Sequence, residues 1–305
     1  WLQDSTPLID WLEREHPAGQ VIPPDPYQAF FCRLVEDYAD EWLWRPALHY
    51  RWSYAPDAKA LSARFAHSFL AKNPTPKWLT AWMVRDRQRR IYVRGDGVNN
   101  STRAHVESIY LNNLDWLEAI FRQQPFLLGA RPSLADFGFF ASMFRHFSQD
   151  PTPSLIMQQR APAVFEWVAR LWNSRYDDSL AWPAAGSIPA LWQPILQDIA
   201  SAYLPYLHAN AQAWQAGKKH FDFECQGTVY RKLPVVHYRV WCREQLQAHY
   251  HALPTQARVA VDAKLTEVGA LAPLLQDGVI VSHYHSGTPP VCSPKRVSLW
   301  QKVVL

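Results

Sequence analysis

Pro125-Phe-Leu-Leu-Gly-Ala-Arg-Pro-Ser-Leu-Ala-Asp-Phe-Gly-Phe-Phe140 decides how the rest of this chain is read. Ser133 and Asp136 have the spacing of a capping box. The Ser hydroxyl accepts from the third helical N–H, and the carboxylate returns to the N–H of the cap. A helix is therefore expected to start at Leu134, with Phe137, Phe139 and Phe140 in its first turns. Ser133 and Asp136 are read as structural residues.

Working outward, residues 102–123 carry an apolar stripe of Val106, Ile109, Tyr110, Leu114, Leu117 and Phe121 at helical spacing. Residues 154–159 and 163–173 give two further helices, the second with Val164, Trp167, Val168 and Leu171 on one side. Residues 188–215 read as one more helix, stopped by Gly217. Upstream, residues 27–52 are helical in pattern. Phe30, Leu34, Tyr38 and Trp42 recur every four residues, and Pro46 kinks or divides the helix. Asp37, Asp40 and Glu41 lie among them and read as a solvated or interface face. Residues 57–71 and 77–93 give two helices separated by Asn73-Pro-Thr-Pro76. The second carries Arg85, Arg87, Arg89, Arg90 and Arg94, a diffuse basic run that reads as a solvated face or as a patch for an anionic substrate or a membrane surface.

The chain opens Trp1-Leu-Gln-Asp-Ser-Thr-Pro-Leu-Ile-Asp-Trp-Leu-Glu-Arg-Glu-His16. Asp4 and Ser5 are good N-caps, and Leu8, Ile9 and Leu12 follow at helical spacing. A helix start with a hydroxyl and free N–H groups suits a carboxylate ligand. Pro7 removes one donor, so such a site rests on the Ser5 and Thr6 amides and the Ser5 hydroxyl. Pro17, Pro23, Pro24 and Pro26 then make a connector that cannot continue a helix.

These two stretches together resemble glutathione S-transferases. Residues 126–139 resemble the start of the central helix of that family's C-terminal helical domain. Residues 1–16 resemble the end of its thioredoxin-like domain, where an acidic or amide residue and a Ser hold the γ-glutamyl end of glutathione. The resemblance covers about 1–217. It implies a mainly α fold: a C-terminal-type helical bundle preceded by the last strand and helix of a thioredoxin-like α/β domain. Residues 1–17 would be the remnant of that domain, 18–26 a linker, 27–217 the helical domain with an enlarged region between its first two long helices, and 218–305 an extension.

The resemblance assigns glutathione binding to Asp4, Ser5 and Thr6, with glutathione as co-substrate. By position it assigns the cleft for a small hydrophobic electrophile to Tyr38, Trp42 and Arg45. Asp37 or Asp40 is a further candidate for reaching glutathione of a neighbouring subunit, since the family is expected to be dimeric. The Ser, Cys or Tyr that activates the glutathione thiol is expected before residue 1, so the catalytic residue is not assigned and this stretch alone is not expected to conjugate an aryl halide. The implied activity of the longer protein is attack of the glutathione thiolate on an apolar electrophile. The alternative is a non-catalytic metaxin-like or failed-axon-connection-like adaptor of the same fold, to which residues 85–107 and the Phe-Leu-Leu-Gly phrase also bear a likeness.

Composition limits other readings. At 305 residues with 48 % hydrophobic and 19 % charged residues, a packed core is expected. No apolar run approaches the length of a membrane span. A net charge of +4 does not imply nucleic acid. Cys32, Cys225, Cys242 and Cys292 are widely spaced without a CxxC, which fits reduced thiols in a cytoplasmic protein. His249/His251 and His283/His285 are spaced two apart and do not make a convincing metal site, so none is expected. In the extension, residues 221–225 alternate as a short strand or extended segment, Gly227 marks a turn, and 237–250 and 255–268 read as helices.

Overall fold

The computed structural model describes residues 5–68, 70–72, 74–177 and 179–284. Its centre is a pair of crossing helices, α2 (Pro26–Trp42) and α7 (Leu134–Ser142). Phe30, Leu34, Tyr38 and Trp42 form the inner row of α2, each at most 2 % exposed. The two helices approach closely because α7 carries Gly138 at the crossing. A Cβ there would lie 2.6 Å from the Glu36 Cα and 2.8 Å from its carbonyl oxygen.

The expected capping box starts α7. Asp136 is fully buried. Its Oδ2 accepts from the Ser133 N–H at 2.9 Å and hydroxyl at 2.8 Å. Its Oδ1 accepts from the Leu127 N–H at 2.8 Å and the Trp167 indole at 3.1 Å. One carboxylate thus ties the Phe-Leu-Leu-Gly turn, the start of α7 and α9 (Pro162–Asn173) together.

Around this pair stand α6 (Arg103–Phe121), α8 (Pro151–Arg160) and α9. Helix α1 (Ser5–Glu15) precedes the Pro-rich connector. It has no fully buried residue and is tied to α2 by a 2.8 Å Arg33–Asp10 ion pair. The expected helix over 27–52 is divided: α2 ends at Trp42 and α3 (Trp44–Ser53) begins at once. Pro46 sits in the first turn of α3, where a missing N–H costs nothing. Helices α4 (Ala55–His67) and α5 (Lys77–Gln88) pack side by side, and α5 runs on into a π-helical turn, Arg89–Arg94. The single helix expected over 188–215 is three joined segments: α10 (Gln193–Asp198), a π turn (Ile199–Tyr203) and α11 (Leu204–Gln215).

The extension folds onto the bundle. β1 (His220–Cys225) and β2 (Thr228–Pro234) form an antiparallel hairpin, and α12 (His237–His251), α13 (Thr255–Glu267) and α14 (Leu271–Leu275) follow. β1 alternates exposed and buried residues, so Phe221, Phe223 and Cys225 face the bundle. Helix α12 packs on α11 and α2.

Candidate functional site

The start of α1 meets an acidic row on α2. The Ser5 hydroxyl donates to Asp40 Oδ2 at 3.2 Å, and the Thr6 hydroxyl donates to Glu36 Oε1 at 3.0 Å. Asp4 lies outside the described residues. Helix geometry explains the placement: Glu36 and Asp40 are one turn apart on α2, so both reach the same end of α1.

The neighbouring acids point the other way. Asp37 accepts from the Tyr203 hydroxyl at 2.7 Å, and Glu41 pairs with Arg239 of α12 at 2.6 Å. Of the solvated or interface face expected for Asp37, Asp40 and Glu41, the interface alternative is the one observed: all three are bonded to other elements, and Asp37 is buried. Burial holds Asp37 up at about 7, against a lowering hydrogen bond from Tyr203. Burial, with Asp40 and Asp37 nearby, raises Glu36 well above the usual carboxylate range. Glu36 escaped the sequence reading, although its four-residue spacing from Asp40 was visible. Tyr203, Arg239 and Cys242 are partners from distant sequence, and nothing local announced them.

Tyr38, Trp42 and Arg45 lie inside the protein rather than along an open cleft. The Tyr38 hydroxyl donates to Asp198 at 2.7 Å and accepts from Asn113 at 2.8 Å. Trp42 packs against Tyr203 and Tyr206. Arg45 is 2 % exposed. Its guanidinium pairs with Asp96 at 3.1 Å and sits 4.8 Å from the Tyr230 ring, 5.2 Å from Trp42 and 5.4 Å from Tyr206. Delocalised charge between aromatic faces is a favourable arrangement for Arg. Arg45 is covered by the β1–β2 hairpin, which brings Tyr230 over it, and α12 brings Arg239 against Tyr206.

Beside this cage, His105 of α6 contacts the Tyr230 hydroxyl, and its Nε2 lies 3.1 Å from Gln226 Oε1 and 4.0 Å from the Cys225 sulfur. The pair does not supply a thiolate at neutral pH. Burial pushes the Cys225 thiol up to about 12 and moves the imidazole down. Cys32 is fully buried, and burial raises its thiol likewise to about 12.

Among the described residues, no three His, Cys, Asp or Glu side chains cluster as a metal site. His249 is on α12, whereas His285 and Cys292 lie outside the described residues. No described helix is long and apolar enough to cross a membrane.

Comparison with known proteins agrees with the central helices. Residues 100–170 match the family model of the glutathione S-transferase C-terminal domain. No curated protein and no solved structure matches the chain. The match spans α6 to α9, including the capping box that starts α7. Over residues 100–170 the chain resembles a glutathione S-transferase C-terminal domain, and the mainly helical fold is consistent with that match.

Proposed function

We propose that this chain is part of a glutathione S-transferase-like protein, and that the start of α1 binds the γ-glutamyl end of glutathione. One observation carries the reading. The first turn of α1 lies against Asp40 and Glu36 of α2. Helix N–H groups suit the γ-glutamyl carboxylate, and an adjacent carboxylate suits its ammonium. Asp4 precedes Ser5 in the sequence and is a further acid. The full protein would then use the glutathione thiolate to attack an apolar electrophile, as a dimer if it follows the family.

A second reading is favoured by one feature. Tyr38, Trp42 and Arg45 are buried, and the hairpin covers Arg45. An electrophile cleft at that position has no opening there, which suits a non-catalytic adaptor of the same fold. Titration calorimetry with reduced glutathione separates the two. The transferase-like reading expects saturable binding that Thr6→Val with Asp40→Asn weakens about tenfold, the effect of losing one charge-assisted contact. Absence of heat at millimolar glutathione, with the chain shown folded by circular dichroism, would favour the adaptor.

A further inference from the structure

The basic run that the glutathione reading leaves unused sits on an unusual surface. Residues 55–94, which hold α4, α5 and the π turn, contain nine Lys and Arg against two Asp. Their net +7 exceeds the +4 of the whole chain, so the remaining residues sum to −3. Only Asp86 offsets this charge at the surface. Asp57 is 1 % exposed and accepts from the Thr152 amide, while Asp86 is bridged to Arg90 at 2.7 Å.

The same element exposes apolar side chains. Thr80, Val84 and Gln88 form the buried row of α5. On the other side, Trp78 is 73 % exposed, Trp82 52 % and Met83 44 %. Trp78 and Trp82 are one turn apart and share a face. The π turn then adds Ile91, 47 % exposed, between the exposed Arg90 and Arg94. Gly95 makes this turn possible. Its N–H donates to the Arg90 carbonyl at 2.9 Å, and a Cβ would meet the Ile91 carbonyl oxygen at 2.1 Å.

Exposed Trp beside Arg matches a bilayer interface, where indoles sit at headgroup level and basic side chains meet anionic lipid. Met83 and Ile91 extend the apolar contact and have no role in reading a nucleic acid. A second copy of this chain would bring the same +7 to the contact, and like charges oppose that pairing. We propose that the α4–α5 hairpin docks the protein on an anionic membrane surface. Trp78, Trp82 and Met83 enter the headgroup boundary, and Arg90 and Arg94 meet lipid phosphates. The docked protein lies on the bilayer and does not span it.

Cosedimentation of the 305-residue chain with vesicles tests this. One set is phosphatidylcholine alone, and the other contains phosphatidylserine. The expected result is binding to the anionic set only, falling steeply as salt rises. Trp78→Ser with Trp82→Ser removes the binding. Arg90→Gln with Arg94→Gln weakens it about 25-fold, the effect of two cations near a charged surface. These side chains are exposed, so the variants should keep the parent's thermal midpoint, which circular dichroism checks. Four results would overturn the proposal: no vesicle binding at low salt, equal binding to neutral vesicles, unchanged binding by folded Trp variants, or self-association abolished by the same substitutions. Tighter binding to a single-stranded RNA oligonucleotide than to anionic vesicles would also overturn it.

Discussion

Two buried carboxylates on neighbouring helices carry different duties. Asp136 receives four donors and fastens α7 to the turn before it and to α9. Asp37 receives the Tyr203 hydroxyl and is held up at about 7 by burial. The native state keeps a proton on Asp37 that the unfolded chain releases near the ordinary value of 3.8. The stability from that proton is fully present below about 3.8 and is lost as pH rises to about 7. Asp37→Asn is expected to abolish this loss, so the variant gains on the parent between about pH 4 and pH 8 by a few kcal/mol. Urea unfolding at each pH measures it. Asp136, pushed up to about 6, contributes in the same direction, and His146, pushed down to about 3 by burial, contributes in the opposite one. The comparison of variant with parent isolates Asp37 from both. Residue spacing made the Ser133–Asp136 box legible. It said nothing of Trp167 or Tyr203, because those partners arrive from 31 and 166 residues away.

Helices were legible where their apolar residues recur and caps bound them. α6, α9, α12 and α13 start and stop within a few residues of expectation. The π turns at Arg89–Arg94, Met143–Phe147 and Ile199–Tyr203 were not legible, since the apolar stripe continues through them. Helix crossings were equally silent. Gly138 reads as a weak point in a helix, yet it is what lets α2 lie against α7 at Glu36. Gly138→Ala is expected to destabilise the protein by about 1–3 kcal/mol, because the added methyl meets backbone and not a yielding side chain. Chemical denaturation reads the loss. The same displacement of α2 should weaken the Thr6–Glu36 contact, which links the crossing to the start of α1.

Across the whole molecule, the extension acts as a cover. The hairpin places Tyr230 over Arg45, and α12 places Arg239 between Tyr206 and Glu41. Tyr230→Ala is expected to cost about 3–5 kcal/mol, since it removes a fully buried ring, one face of the Arg45 cage and a partner of His105. A fall in the urea midpoint with little change in slope would fit that account, and an unchanged midpoint would contradict it.

By itself the sequence determined the helical class, the central capping box and the hydroxyl-bearing start of α1. Each of these rests on neighbours within about four residues, where helix periodicity and caps act. The tertiary structure alone decided which polar residues are buried. Tyr38, Trp42 and Arg45 look like cleft residues on an isolated α2 and α3, but they are interior once distant helices pack on Tyr38 and Trp42 and the hairpin covers Arg45. It also decided that the acids of α2 are bonded to other elements, and that Trp78 and Trp82 of the basic stretch 55–94 are exposed. Burial and long-range pairing depend on which elements meet, and no local pattern in the chain encodes that.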